Sequence, residues 1–253
     1  MPAELLALSG VCKSYRRGDR SLRVLIDVQL SVREREIVAV VGGRDAGKTT
    51  LLQIAAGLLA PDRGEVRLAG VELTRCSDAE RAGLLGRDLA WVHREGVGLD
   101  CKMLDYIALS LLTSGRRGRR EAERLAMAAL QRVGAEDCAG LRWGDLSNWE
   151  RALVGFARGI ARAPRLLIVD DVIDGFGMGR TRQAGELLLS FAEDPGCGVL
   201  MSASDLEAAL VAERVWCFEQ GRLRLTSDEA SGDAEVIDLY DGARRRRGAS
   251  GSV

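Results

Sequence analysis

Glu36-Ile37-Val38-Ala39-Val40-Val41 leads without a break into Gly42-Gly43-Arg44-Asp45-Ala46-Gly47-Lys48-Thr49 and then into Thr50-Leu51-Leu52-Gln53-Ile54-Ala55-Ala56-Gly57. The first segment is a continuous β-rich apolar run, the composition of a buried strand. The last has helical composition, and the helix is predicted to stop near Pro61. Between them the pattern G-x-x-x-x-G-K-[ST] is complete, in the order strand, glycine loop, helix that a triphosphate site requires. Glycines let the backbone wrap a polyphosphate, so that amide N–H groups and the N-terminus of the following helix face the anion. Gly42, Gly43, Arg44, Asp45, Ala46, Gly47, Lys48, Thr49 and Thr50 are therefore the candidate nucleotide-binding residues. Lys48 is placed to reach the β- and γ-phosphates, and the Thr49 hydroxyl to bind Mg²⁺. Lysine otherwise occurs only at Lys13 and Lys102, in a chain rich in arginine, which singles out Lys48. Asp45 puts a carboxylate into a loop that must hold phosphate charge. Aspartate tolerates a left-handed backbone, and Arg44 beside it offsets the charge, so weakened rather than abolished binding is expected.

Outward from this segment, Leu5 to Leu8 and Val24 to Val32 read as N-terminal strands. A second buried strand, Arg165 to Val169, ends in Asp170-Asp171, and a third, Gly198 to Met201, precedes Ser202-Ala203-Ser204-Asp205. Strands alternating with helices predict an α/β fold with a mainly parallel sheet. An acid at the end of a buried strand is the expected second Mg²⁺ ligand, and Asp170 fits it, the alternative being an ordinary strand-end acid. The stretch from Ala79 to Gln131 is dominated by helix formers, with a helix predicted from Glu121 to Val133 behind the run Arg116 to Arg120. A helical lobe over about 86–150, inserted into a single domain of residues 1–240, is the organisation this suggests. Residues 241–253 are basic and poor in apolar side chains, and are predicted to be disordered.

Composition narrows the functional classes. At 253 residues the chain can bury one sizeable α/β core. A formal net charge of −1, with 29% charged residues, gives no global bias toward nucleic acid or anionic membrane, so no nucleic-acid partner is expected. No apolar run reaches the ~18–20 residues that span a bilayer, and a soluble intracellular protein is expected. The cysteines Cys12, Cys76, Cys101, Cys138, Cys197 and Cys217 form no C-x-x-C pair and suggest neither zinc site nor disulfide framework. A guanine-reading Asn-Lys-x-Asp is excluded, because Asn148 is the chain's single asparagine.

Taken together, the segments resemble the nucleotide-binding subunit of ATP-binding-cassette (ABC) transporters over about residues 5–225. Lys13-Ser14-Tyr15 ahead of Val24-Leu25 resembles the family's adenine-stacking loop, which makes Tyr15 the implied base platform, with a strand-edge tyrosine as the alternative. Leu146-Ser147-Asn148-Trp149-Glu150 followed by Val154 to Pro164 resembles the signature segment and its helix. Gly70 to Ala82 and Met103 to Leu109 look most like the lipoprotein-release, macrolide-exporter and FtsE-type branch. The resemblance implies a P-loop ATPase fold of ABC type with ATP and Mg²⁺ as ligands. It also implies a dimer, homomeric or heteromeric, in which each triphosphate lies between one subunit's phosphate loop and Ser147 acting in trans. A membrane permease subunit is the implied partner, docking near the segment after Arg94 and holding the protein on the cytoplasmic face of the membrane.

The same resemblance exposes departures. The catalytic Glu after the strand-end Asp is here Asp171, and no Glu follows until Glu186. Aspartate is shorter by roughly 1.3–1.5 Å on ordinary bond lengths, and misplacement of about 1 Å can cost on the order of a hundredfold in rate. The switch histidine falls at Ser204, and the chain's one histidine, His93, is far away in sequence and reads as a packing or interface residue. The sensing glutamine falls at Arg94, with no Gln between Gln53 and Gln131. The signature glycines are Asn148 and Trp149, and Gly177 stands where the next loop usually carries a dimer-contacting Asp. Three readings follow: an ATP-binding subunit with impaired or absent hydrolysis, a working ATPase using Asp171 as a substitute base, and a soluble ABC protein acting on ribosomes or DNA.

Overall fold

The computed structural model describes residues 4–18, 20–93, 100–112, 117–193 and 196–226. The tail expected to be disordered, and Arg94 to Val97 with the start of the docking segment, lie outside them.

Two sheets enclose the helix that follows the glycine loop. Strands β1 (Glu4–Arg17) and β2 (Arg20–Arg33) form a long antiparallel hairpin, and β4 (Arg63–Leu68) and β5 (Val71–Glu72) extend it in the order β2-β1-β4-β5. The second sheet has the order β10-β9-β3-β8-β7-β6. Its strands β3 (Ile37–Val41), β6 (Leu89–His93), β7 (Leu166–Asp170), β8 (Gly198–Ala203) and β9 (Arg214–Glu219) run parallel, and β10 (Arg222–Leu225) closes the edge antiparallel to β9.

Alternation along the central strands divides the core in two. Val38 and Val40 of β3 face a layer formed by α1 (Lys48–Ala55) and the antiparallel sheet, with Leu6, Leu8, Leu30 and Val66 among its members. Ile37, Ala39 and Val41 face the opposite layer, packed by α3 (Met103–Leu112), α4 (Arg119–Arg132), α5 (Asn148–Ile160) and α6 (Met178–Glu193). A strand buried on both faces must be apolar throughout, which is why β3, β7 and β8 are legible as continuous hydrophobic runs.

The range 86–150 expected as a helical lobe contains β6, a strand of the parallel sheet paired with β7 from Leu89↔Leu166 to His93↔Asp170. Helix α2 (Asp78–Asp88) passes directly into it, so helix-forming composition continues up to the strand with no turn residue between them. His93, remote in sequence, therefore stands beside Asp170 in the sheet. The predicted helix over 121–133 is α4, starting two residues earlier; the arginines before it are engaged, Arg119 with Glu123 and Arg117 with Glu121. Helix α1 ends at Ala55, well before Pro61, because Gly57 takes a left-handed turn with φ of 65°.

Candidate nucleotide-binding site

The C-terminal edge of the parallel sheet is where loops from several strands converge, and there the glycine loop passes from β3 into α1. Gly42 N–H donates to the carbonyl of Ala203 at the end of β8 (3.3 Å), which fixes the start of the loop against the sheet. A Cβ at Gly42 would lie 2.8 Å from the Phe218 carbonyl oxygen, and one at Gly47 2.6 Å from Val24 Cγ1. Gly47 also has φ of 112°, so both steric space and backbone conformation demand glycine there. Asp45 adopts the left-handed conformation expected of it, with φ of 61°. No side chain caps α1 and its first turn holds no acid, which leaves the N-terminal N–H groups and the positive end of the helix for an anion. Lys48 Nζ donates to the carbonyls of Gly42 (2.5 Å) and Gly43 (3.0 Å), so the ammonium lies over the loop it would serve.

Around the loop is a cleft of about 580 Å³, lined by Arg44 to Thr50, by Asp170, Asp171, Asp174, Gly175 and Ser204, and by Val24. Asp170 is 7% exposed, and its Oδ1 accepts from the Ser202 hydroxyl at 2.9 Å. The same hydroxyl oxygen accepts from the Asp171 N–H at 2.8 Å, so β8 orients both acids. The sheet thus brings Thr49 and Asp170, remote in sequence, to one cleft. They are hard oxygen donors of the kind Mg²⁺ takes, and the described residues hold no cluster of three or more acidic, His or Cys ligands. That donor set suits an ion bound through one or two protein oxygens plus phosphate oxygens and water.

Asp171 lines the cleft on a backbone with φ of 55°. Its neighbour Asp174, which sequence reasoning missed as a site residue, is half-buried; Oδ1 accepts from the Ser204 N–H at 3.2 Å, and its carboxyl is hydrogen-bonded to that of Asp171. Burial first, and then the bond to Asp171, push the Asp174 carboxyl up to about 6. Ser204, at the position of the missing switch histidine, bonds through its hydroxyl to Asp205 (3.3 Å) and to Asp174, and its backbone N–H is taken up by Asp174. Val24 and Ser202 were missed as well. Nothing local marks them, because they reach the site only through the β1–β2 hairpin and the β7–β8 pairing.

Two predicted residues lie away from this cleft. Tyr15 is exposed near the end of the hairpin, with Lys13 Nζ 5.9 Å from its ring centroid, and does not line the cleft. Ser147 is the N-cap of α5, its hydroxyl accepting from the Glu150 N–H (3.3 Å) while the Glu150 carboxylate accepts from the Ser147 N–H (2.7 Å). Trp149 at the second glycine position turns inward. It is 9% exposed, edge-on to Phe176 at 5.3 Å, with the Arg180 guanidinium 5.8 Å from its ring. Asn148 faces a separate recess with Asp174, Gly175, Phe176 and Arg180. Gly177 in the same loop is left-handed, with φ of 75°.

Comparison with known proteins agrees with this geometry. Residues 25–174 match the ABC transporter family. The lipoprotein-releasing system ATP-binding protein LolD of Ruegeria pomeroyi is 37% identical over 229 residues, covering 90% of this chain and all of that protein. LolD of Cereibacter sphaeroides is 35% identical over 223 residues, covering 87% and 99%. Among solved structures, the ATP-binding cassette MJ0796, in a dimeric post-hydrolysis state bound to ADP and Pi, superposes with a TM-score of 0.81 at 24% identity, covering 87% of this chain and 97% of that one. The cbiO1 protein of Clostridium perfringens, part of the ABC transporter complex cbiONQ, superposes with a TM-score of 0.79 at 19% identity, covering 97% of both.

Proposed function

From the premise that the chain belongs to the ABC transporter family, as an ATP-binding subunit similar to LolD, we propose that it binds ATP with Mg²⁺ and hydrolyses it slowly or not at all. The observation that carries this reading is the contrast within one cleft. The cleft carries Gly47, Lys48 and Thr49 of the phosphate loop beside a well-held Asp170, while the positions of the base and the switch are filled by Asp171 and Ser204. When bound, Mg²⁺ would neutralise phosphate charge; Thr49 and Asp170 are the residues that would hold it. Lys48 and the α1 N–H groups bind the β- and γ-phosphates, and Asp45 weakens that binding by its charge. Tyr15 is proposed as the base platform, reached from the exposed hairpin.

Two subunits, alike or different, are proposed to sandwich each nucleotide, with Ser147 of one facing the phosphate loop of the other. The dimeric state of MJ0796 bound to ADP and Pi supports this arrangement. A permease subunit is proposed to hold the protein at the inner face of the membrane, since no helix among the described residues is long and apolar enough to cross it. The direct test measures nucleotide affinity and phosphate release together. The proposal expects MgATP binding that Lys48→Ala weakens at least ~10-fold, with turnover ~100-fold or more below the ~10 s⁻¹ of a median enzyme. Absence of nucleotide binding would overturn it. Because Asp171 does line the cleft, a second reading is a working ATPase with Asp171 as base, and brisk turnover lost in Asp171→Asn would establish that instead.

A further inference from the structure

We infer that Asp62 is the positioning residue for Tyr15: it clamps the β1–β2 hairpin at a fixed height above the phosphate loop and so sets where the base of a bound nucleotide can stack. This rests on the reading of Tyr15 as the base platform. A base is tethered to its triphosphate through one ribose, so once the loop holds the phosphates the base can reach only a narrow shell of space. Stacking falls off steeply across that shell, a gap of ~0.5–1 Å forfeiting a quarter to a half of each contact's attraction. An aromatic ring near the end of an exposed hairpin therefore serves only if the hairpin is anchored to the element that carries the phosphates.

That anchor is present at Cys12, Lys13 and Ser14 of β1. Asp62, the residue before β4, accepts from the Lys13 ammonium on Oδ1 at 3.0 Å and from the Ser14 N–H on Oδ2 at 2.7 Å. Its own N–H donates to the Cys12 carbonyl at 2.9 Å, and Lys13 Nζ also donates to the Ala60 carbonyl at 2.8 Å. The strand is thus gripped immediately before Tyr15, with the Lys13 ammonium 5.9 Å from the Tyr15 ring centroid. The turn that grips it is bound back to α1, where the Gln53 carbonyl accepts from the N–H groups of Leu58 (2.9 Å) and Leu59 (3.2 Å). Opposite the clamp, pairing steps from Lys13↔Leu25 to Ser14↔Arg23, which makes Val24 the extra residue of a β-bulge. Val24 lines the nucleotide cleft, and its Cγ1 stands 2.6 Å from the point a Cβ of Gly47 would occupy, at the start of α1. The hairpin is tied to both ends of α1, by Val24 at the phosphate end and by Asp62 beyond the other. The Asp62 side chain is 43% exposed, so truncating it releases the clamp without taking an apolar group out of the core.

The experiment titrates the full chain with MgATP and with magnesium tripolyphosphate, which offers the phosphates and no base. Tyr15→Ala is expected to weaken MgATP ~5-fold or more, the loss of one base stack, and to leave tripolyphosphate within ~2-fold. Asp62→Ala is expected to weaken MgATP ~3-fold or more and also to leave tripolyphosphate within ~2-fold, which at the same time reports a folded phosphate site. The double variant should bind MgATP within ~2-fold of Tyr15→Ala alone, because a clamp with no ring to place adds nothing. A merely structural role would loosen α1 and weaken both ligands together. Equal loss of the two ligands in Asp62→Ala, unchanged MgATP affinity in that variant, or full additivity with Tyr15→Ala overturns the inference. Unchanged MgATP affinity in Tyr15→Ala overturns the reading beneath it, and absence of MgATP binding by the wild type overturns nucleotide binding itself.

Discussion

Asp174 is half-buried beside another acid, so its ionisation opposes folding. Its folded-state value, pushed up to about 6, lies above the ~3.9 of an unperturbed aspartate. Below pH ~4 both states hold the proton and the group is neutral to stability. Between pH ~4 and ~6 the unfolded chain releases its proton first, and stability falls as pH rises, reaching a plateau above ~6. Asparagine cannot ionise, so Asp174→Asn is expected to melt above wild type at pH 7.5. After discounting for solvent access the gain is about 1 kcal/mol, or ~2–4 °C for a domain of this size. The gap should close near pH 4, and thermal melts of the two proteins at both pH values check it. A gap that widened toward acid would show that Asp174 is not the group responsible. Gly47 gives a second expectation at this scale. Its φ is 112°, and Val24 Cγ1 stands 2.6 Å from the point a Cβ would occupy. Gly47→Ala should therefore both destabilise the loop and abolish nucleotide affinity, measurable by titration with MgATP.

Helix α5 shows how an element can keep its place in the fold while its exposed end changes character. Its Ser147–Glu150 capping box closes the N-terminus within the subunit, and Trp149 packs under Phe176 from the loop after β7. Trp149→Gly would install the residue the family resemblance implies, but here it removes a buried indole. It is expected to cost about 3–5 kcal/mol, read from urea unfolding midpoints. Stability equal to wild type would show that the indole does not fill this space. What could be read from sequence follows the same logic of elements. Strand β3, the glycine loop and α1 were legible because a doubly buried strand and a phosphate loop both constrain residue type at every position. Strand β6 was not, because α2 joins it without a turn and Leu89-Ala90-Trp91-Val92-His93 is too short to show its own period. Strand β4 escaped because Arg63, Gly64, Glu65 and Arg67 interrupt its apolar residues. Asp170 and Asp171 were legible as the end of a buried strand; the contact of Asp174 with Ser204 was not, since it joins loops 30 residues apart.

At the scale of the whole molecule, a second cleft of about 960 Å³ lies between α2, α4 and the end of α5, lined by Arg87, Arg117 and Arg162 and by the acids Glu80 and Glu121. Arg87 there is bound by Asp88 through two nitrogens, Arg117 is 3.8 Å from Glu121, and Arg158 nearby donates to the Tyr106 hydroxyl. Arg162 has no carboxylate within ion-pair distance among the described residues. Its guanidinium is held below its usual range by burial and by the positive charges of Arg117 and Arg158. An uncompensated, partly desolvated cation is costly, and an acid supplied from outside would relieve that cost. Helix α2, whose Gly86 and Arg87 line this cleft, passes into β6, and in sequence β6 precedes the segment where the family resemblance places the permease, so an acidic cytoplasmic segment of the permease is the occupant we propose. Arg162→Glu should then weaken co-purification with the permease by ~10-fold or more, the reversal of a partly buried charge pair being worth at least ~1.4 kcal/mol. Nucleotide affinity of the isolated subunit should stay within ~2-fold, because Arg162 does not line the nucleotide cleft. A compensating Glu-to-Arg or Asp-to-Arg change on the permease segment should restore the complex. Undiminished association of Arg162→Glu, or an equal fall in nucleotide affinity, would remove this cleft as the docking surface.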